Sequence, residues 1–130
     1  MTESKGAIGI VVDDMFFAAK IRGTAQANGE IVTSVNSLAQ IDGELAASPP
    51  SILLVDLNSK RVDPFEVIER VKSTAELAKV PVIGFLSHVE VEMKRRAEEA
   101  GFDYVLPRSL FSRLLPEIVT GNLASLPARA

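Results

Sequence analysis

A doubly wound α/β domain, with one parallel five-stranded sheet in the order 2-1-3-4-5, is the fold class this sequence predicts. Three observations point to it. Five short apolar runs alternate with helix-forming segments, the pattern of repeated βαβ units with right-handed crossovers. Two of the runs, Ile10-Val11-Val12 and Ile52-Leu53-Leu54-Val55, are continuously apolar rather than alternating, as strands covered on both faces are. Both end abruptly in carboxylates, Asp13-Asp14 and Asp56. In the 2-1-3-4-5 order the switch point falls between the first and third strands, so three carboxylates are expected in one crevice beyond the strand ends.

The elements follow in order. Residues 7–12 read as a central strand, and Phe17, Ile21 and Ala25 give the next segment a helical stripe that ends at Asn28-Gly29. Residues 30–35 are less apolar, with Thr33 and Ser34, and suit a sheet edge. Leu38, Ile41 and Leu45 mark a second helix that stops before Pro49 and is softened by Gly43. Residues 51–56 form the third strand. A polar loop runs to Asp63-Pro64, an N-cap acceptor followed by proline at the first helical position. Residues 80–86 are the fourth strand, with Pro81 at its entry. Val89, Met93, Ala97 and Ala100 line a fourth helix closed by Gly101. Residues 102–106 are the fifth strand. The last helix is expected to start at Ser112 as N-cap, with Pro116 in its first turn, and to end at Gly121. The domain is expected to span residues 1–121, and residues 122–130 to form a loose tail.

Composition narrows the function. The chain has 130 residues, 47% of them hydrophobic and 24% charged, which suits one soluble domain. Its net charge of −3 argues against binding a nucleic-acid backbone. It has no cysteine, which excludes disulfides and thiolate metal sites. No apolar stretch approaches the ~20 residues a membrane span requires, and no secretory signature opens the chain, so a cytoplasmic place is expected.

Three carboxylates in a crevice repel, and a hard divalent cation offsets that repulsion. Magnesium takes one or two carboxylates together with water and phosphate oxygens, and a carboxylate beside it can attack a phosphoryl group. The plainer alternative is that Asp13 or Asp14 caps the first helix and Asp56 opens a turn. If repulsion dominates, Asp14→Ala is expected to stabilise the metal-free protein.

On these residues the chain resembles the CheY-like receiver domains of two-component response regulators, over about residues 7–119. Val11-Val12-Asp13-Asp14 resembles the acidic pair at the end of the first strand, and Leu53-Leu54-Val55-Asp56 the strand that presents the phosphoryl-accepting aspartate. Val80-Pro81-Val82-Ile83 resembles the fourth strand, and Gly101 with Tyr104-Val105-Leu106 the approach to the fifth. The resemblance implies a flavodoxin-like (βα)5 fold, phosphorylation at Asp56, and Mg2+ held by Asp13, Asp14, Asp56 and the backbone carbonyl of Asn58. It also implies a sensor histidine kinase or phosphotransfer protein as donor. A downstream protein would be met on the face of the fourth helix, fifth strand and fifth helix, with no enzymatic turnover.

The departures lie on the switch side. Leu86 stands where receivers place Thr or Ser, and Ser87, one residue on, belongs to the other face of a strand. Arg108 stands at the position of the invariant Lys and Ser109 at that of the following Pro. In the loop after Asp56, Lys60 replaces the usual Pro and Pro64 the usual Gly. Val105 takes the place of the switch aromatic, with Tyr104 on the opposite face. The expected function is therefore a stand-alone, atypical receiver that accepts a phosphoryl group at Asp56 and regulates a partner. The alternative is a phosphorylation-independent interaction module. A magnesium phosphohydrolase is disfavoured because Asn58 occupies the position where that chemistry wants an acid/base carboxyl. His88 reads as a surface or capping residue. Lys94-Arg95-Arg96 among Glu90, Glu92, Glu98 and Glu99 reads as a solvated, ion-paired helix face. Phe16 either lies over the crevice mouth or packs.

Overall fold

Five parallel strands in the order β2-β1-β3-β4-β5 form the sheet in a computed structural model that describes residues 7–87 and 90–127. The expected fold class and strand order are therefore found. The strands are β1 (Ile8–Val11), β2 (Val32–Ser34), β3 (Ile52–Asp56), β4 (Val82–Leu86) and β5 (Tyr104–Pro107). β1, β3 and β4 are buried along their whole lengths, whereas β2 and β5 have half-buried residues, as sheet edges do. Ile10 pairs with Leu54 and Asp56 with Phe85, which puts the ends of β1, β3 and β4 side by side.

Two helices cover one face of the sheet: α1 (Met15–Ala27) and α5 (Arg108–Val119). Phe17, Ile21 and Ala25 of α1 and Phe111, Leu115 and Ile118 of α5 pack there on Ile8, Ile52, Leu54, Ile83 and Phe85. The other face carries α2 (Leu38–Gln40), which continues as a π-helical turn over Ile41–Leu45, with α3 (Pro64–Ser73) and α4 (Val91–Ala100). Val11, Leu53, Val55, Val82 and Leu86 meet Ile41, Val67, Ile68 and Ala97 on that side. The wide turn spans Gly43, where the sequence predicts a soft helix.

The caps follow the local sequence. Asp14 accepts from the backbone N–H groups of Phe16 and Phe17, and Asp63 from that of Phe65 with Pro64 at the first position. Gly101 ends α4 with φ 119°, a left-handed conformation that favours glycine. On α4, Arg95 pairs with Glu92 and Glu99 and Lys94 with Glu98, the ion-paired face the sequence predicts. Arg96 instead lies over the Phe65 ring, 4.4 Å from its centroid.

The last third departs from expectation in two places. α5 begins at Arg108, with Pro107 as N-cap, and not at Ser112. Pro107 has φ −61° and ψ 147°, so one residue both finishes β5 and launches the helix. Pro116 consequently lies inside the helix, on its exposed side. The chain after Gly121 does not hang free as far as Leu126, which is buried in the α1/α5 layer with Leu123 packed beside it. His88, Val89 and the N-terminal residues 1–6 lie outside the described residues. Among the described residues no helix is long and apolar enough to cross a membrane.

Candidate functional site

The carboxyl ends of β1 and β3 bring Asp13, Asp14 and Asp56 to one crevice, and the start of α5 adds Arg108. Asp56 is the last residue of β3 and is only 4% exposed. Its Oδ1 accepts from the Asn58 N–H at 2.8 Å, and its Oδ2 from Nη2 of Arg108 at 3.2 Å. Burial pushes its pKa above the ordinary carboxylate value, with Asp13 and Asp14 adding to the rise; the Asn58 N–H and the Arg108 charge oppose it without cancelling it.

Asp14 is exposed and divided between two tasks. Its Oδ1 caps α1, and its Oδ2 accepts from Nη1 of Arg108 at 3.4 Å. The Phe17 N–H, with the Arg108 and Phe16 contacts beside it, outweighs the opposing cost of desolvation and holds its pKa below the ordinary value. Asp14 is therefore a helix cap as well as a member of the cluster. That cap works against the repulsion argument, which expects Asp14→Ala to stabilise.

Asp13 faces elsewhere. Its Oδ1 accepts from the hydroxyl of Ser59 at 2.9 Å, and its Oδ2 from the backbone N–H groups of Lys60 at 2.7 Å and Arg61 at 3.1 Å. Burial would raise its pKa, but these hydrogen bonds and the Arg61 charge hold it below the ordinary value. Ser59 is itself buried, a role for which the sequence carries no signal beyond its place in a polar loop. Arg61 extends the tie by donating to the Asn36 side chain at 3.0 Å.

Arg108 is shared by Asp14 and Asp56, with a side chain 28% exposed. Counting from Gly101 finds it in the sequence, but not what it rests on. Its guanidinium lies 4.4 Å from the centroid of Phe17 and 5.7 Å from that of Phe85. Phe111 stacks on Phe85 at 4.3 Å.

Leu86 is buried, 2% exposed, on the α3/α4 face and offers no hydroxyl. Ser87 directs both its N–H and its hydroxyl to the side-chain oxygen of Asn58, at 2.9 and 3.0 Å. Val105 packs on the α2–α4 face and Tyr104 on the α1/α5 face. Phe16 is 91% exposed and does not close the crevice.

This arrangement of donors does not fit magnesium on three aspartates. Asp13 gives both oxygens to the β3–α3 loop, and a guanidinium stands between the other two. Among the described residues no group of three His, Cys, Asp or Glu side chains is placed to hold a metal ion. The Asn58 backbone is tied to the pocket by its N–H, which donates to Asp56.

Solved structures place the fold. The phosphorylated cyanobacterial phytochrome response regulator RcpA superposes with a TM-score of 0.78 at 18% identity, over 98% of this chain and 100% of that one. The fold is that of response-regulator receiver domains. A response regulator from Chloroflexus aurantiacus shares this receiver fold, with a TM-score of 0.78 at 20% identity over 93% of this chain and 99% of that one. So does the Mn(2+)-bound form of the response regulator Rcp1, with a TM-score of 0.73 at 18% identity over 96% and 99% of the two chains. No family model matches the sequence, and no curated protein matches it.

Proposed function

We propose that this chain is a receiver-type module of two-component signalling that accepts a phosphoryl group on Asp56 and thereby regulates a partner protein. The observation that carries the reading is the 3.2 Å contact between Arg108 Nη2 and Asp56 Oδ2 at the end of the central strand. The phosphoryl donor is a phosphohistidine of a sensor histidine kinase or phosphotransfer protein. An Asp56 oxygen attacks phosphorus, the P–N bond breaks as the P–O bond of an acyl phosphate forms, and the departing imidazole takes up a proton. Arg108 pairs with the added negative charge, bidentately where a lysine would act as a point charge.

The module carries a phosphoryl group and does not turn over a substrate as an enzyme would. Its downstream partner is met on the α4–β5–α5 face, and the cytoplasm is its place. The Mn(2+) of Rcp1 supports a divalent ion in a pocket of this fold, and magnesium on Asp13, Asp14, Asp56 and the Asn58 carbonyl is what the receiver resemblance implies. Because the donors here do not fit that ion, no step above runs through it.

A second reading, an interaction module that works without phosphorylation, is favoured by Leu86, which has no group to follow a phosphoryl oxygen. Intact mass after exposure to a small-molecule phosphodonor tests the choice. The first reading expects one phosphoryl group on the protein and none on Asp56→Asn. An unmodified wild-type chain would leave the second.

A further inference from the structure

Arg108 is held more firmly than a surface arginine. It is the first residue of α5, set immediately after a proline whose φ is fixed near −61°. Beneath it Phe17 of α1, Phe85 of β4 and Phe111 of α5 form a continuous aromatic floor, with centroids 5.2 Å apart for Phe17 and Phe85 and 4.3 Å for Phe85 and Phe111. A guanidinium on such a floor keeps its plane and its charge, and is more weakly hydrated than an ammonium. Two of its nitrogens go to Asp14 and Asp56. The third, Nε, is a buried donor with no hydrogen-bond partner. A buried donor left unmade is costly, and this one belongs to the same guanidinium that reaches Asp56 through Nη2.

Asp13 supplies the other half of the argument. A divalent ion in this crevice would draw on the acidic pair, yet Asp13 is spent on Ser59, Lys60 and Arg61. Charge compensation for Asp14 and Asp56 comes from within the chain.

We infer that Arg108 is the resident cation of this pocket, and that a tetrahedral oxyanion built on Asp56 is taken up without a divalent metal. The inference rests on the reading of Asp56 as phosphoryl acceptor and adds to it how the added charge is met. With phosphoramidate as the probe, an Asp56 oxygen attacks phosphorus, the P–N bond breaks and the nitrogen leaves as ammonia with a proton. Arg108 donates to the new phosphoryl oxygens, Nε included.

The experiment follows phosphoryl incorporation by intact mass in phosphoramidate, with EDTA and separately with millimolar magnesium. The expected result is the same rate in both for the wild type, and a rate about a hundredfold lower in EDTA for Arg108→Gln. Arg108→Lys, which keeps the charge and loses the fork, should fall between them. A parallel magnesium titration read by amide chemical shifts reports on the site apart from the reaction and on the fold of each variant. It should leave Asp14, Asp56 and Asn58 unmoved in the wild type and perturb them in Arg108→Gln, where the cation is gone. Incorporation that needs magnesium in the wild type overturns the inference and leaves Asp56 as acceptor. No incorporation under either condition overturns the acceptor reading, and the inference with it.

Discussion

The carboxylate of Asp13 holds the backbone N–H of Lys60 at 2.7 Å, fastening the end of β1 to the loop that leaves β3. Two further donors, the Ser59 hydroxyl and the Arg61 N–H, share that carboxylate. Asp13→Ala should therefore destabilise the fold by about 1–2 kcal/mol, less than the sum of three charge-assisted bonds because the loop is partly solvated. Amide exchange at Lys60 and Arg61 should accelerate in the same variant. Unchanged exchange at both would show that the loop holds itself. The pKa of Asp13 is held below the ordinary 3.8, so this contribution is fully present above that value and is lost as pH falls through the lower folded value.

Asp56 works in the opposite sense. Its folded pKa is raised above 3.8, mainly by burial, so the folded state binds its proton more tightly than the unfolded state does. Stability is lost as pH rises from the ordinary value through the raised one, and the penalty is constant above it. Asp56→Asn removes the penalty and should raise the melting temperature by a few degrees at neutral pH. The difference from wild type should shrink as the pH is lowered across that window. A variant that melts lower at pH 7 would mean that the Arg108 contact outweighs desolvation.

Asp14 can be tested by its cap. Asp14→Ala should lower the melting temperature, since the Phe16 and Phe17 N–H groups lose their acceptor. Asp14→Ser, which caps a helix without a charge, should recover most of the loss. A rise in melting temperature with alanine would instead restore repulsion as the dominant effect.

The reach of the pocket is a fourth question. Leu86 cannot donate to a phosphoryl oxygen, and one such bond to a charged group is worth about 1.5–3 kcal/mol. Its absence leaves up to roughly a hundredfold less population shift toward an active state. An acyl-phosphate mimic on Asp56 should move the amides of Asp14 and Asn58 and barely reach Met93, Val105 or Leu114. Shifts at those three residues as large as at Asp14 would reveal another relay, with Arg108 and its aromatic floor as the place to look.

Much of the fold was legible because burial writes itself into composition. The unbroken apolar runs before Asp13 and Asp56 name the central strands, and Thr33 and Ser34 mark an edge. The β5–α5 junction was misread because two prolines compete for one signal. Pro116 looks like a first-turn proline, while Pro107 carries the fixed φ that starts the helix. In the site, the three aspartates can be found from where the apolar runs end, and Arg108 only from the receiver resemblance, by counting from Gly101. Their partners cannot, because a carboxylate in a sequence does not say which donor it will meet. Asp13 turns to Ser59, 46 residues away, across a loop whose path the tertiary fold decides. Phe17, Phe85 and Phe111 carry only the signature of ordinary core residues, so the floor beneath Arg108 had no advance sign.

The margins of the sheet have a consequence for self-association. One outer strand, β2, is three residues long, and the other, β5, finishes in Pro107, which has no N–H to offer. Short margins and a missing donor give an incoming strand little to pair with, so the chain is guarded against growing sideways into fibrils or strand-swapped pairs. Copies of this chain that meet at high concentration are left with helix surfaces for contact.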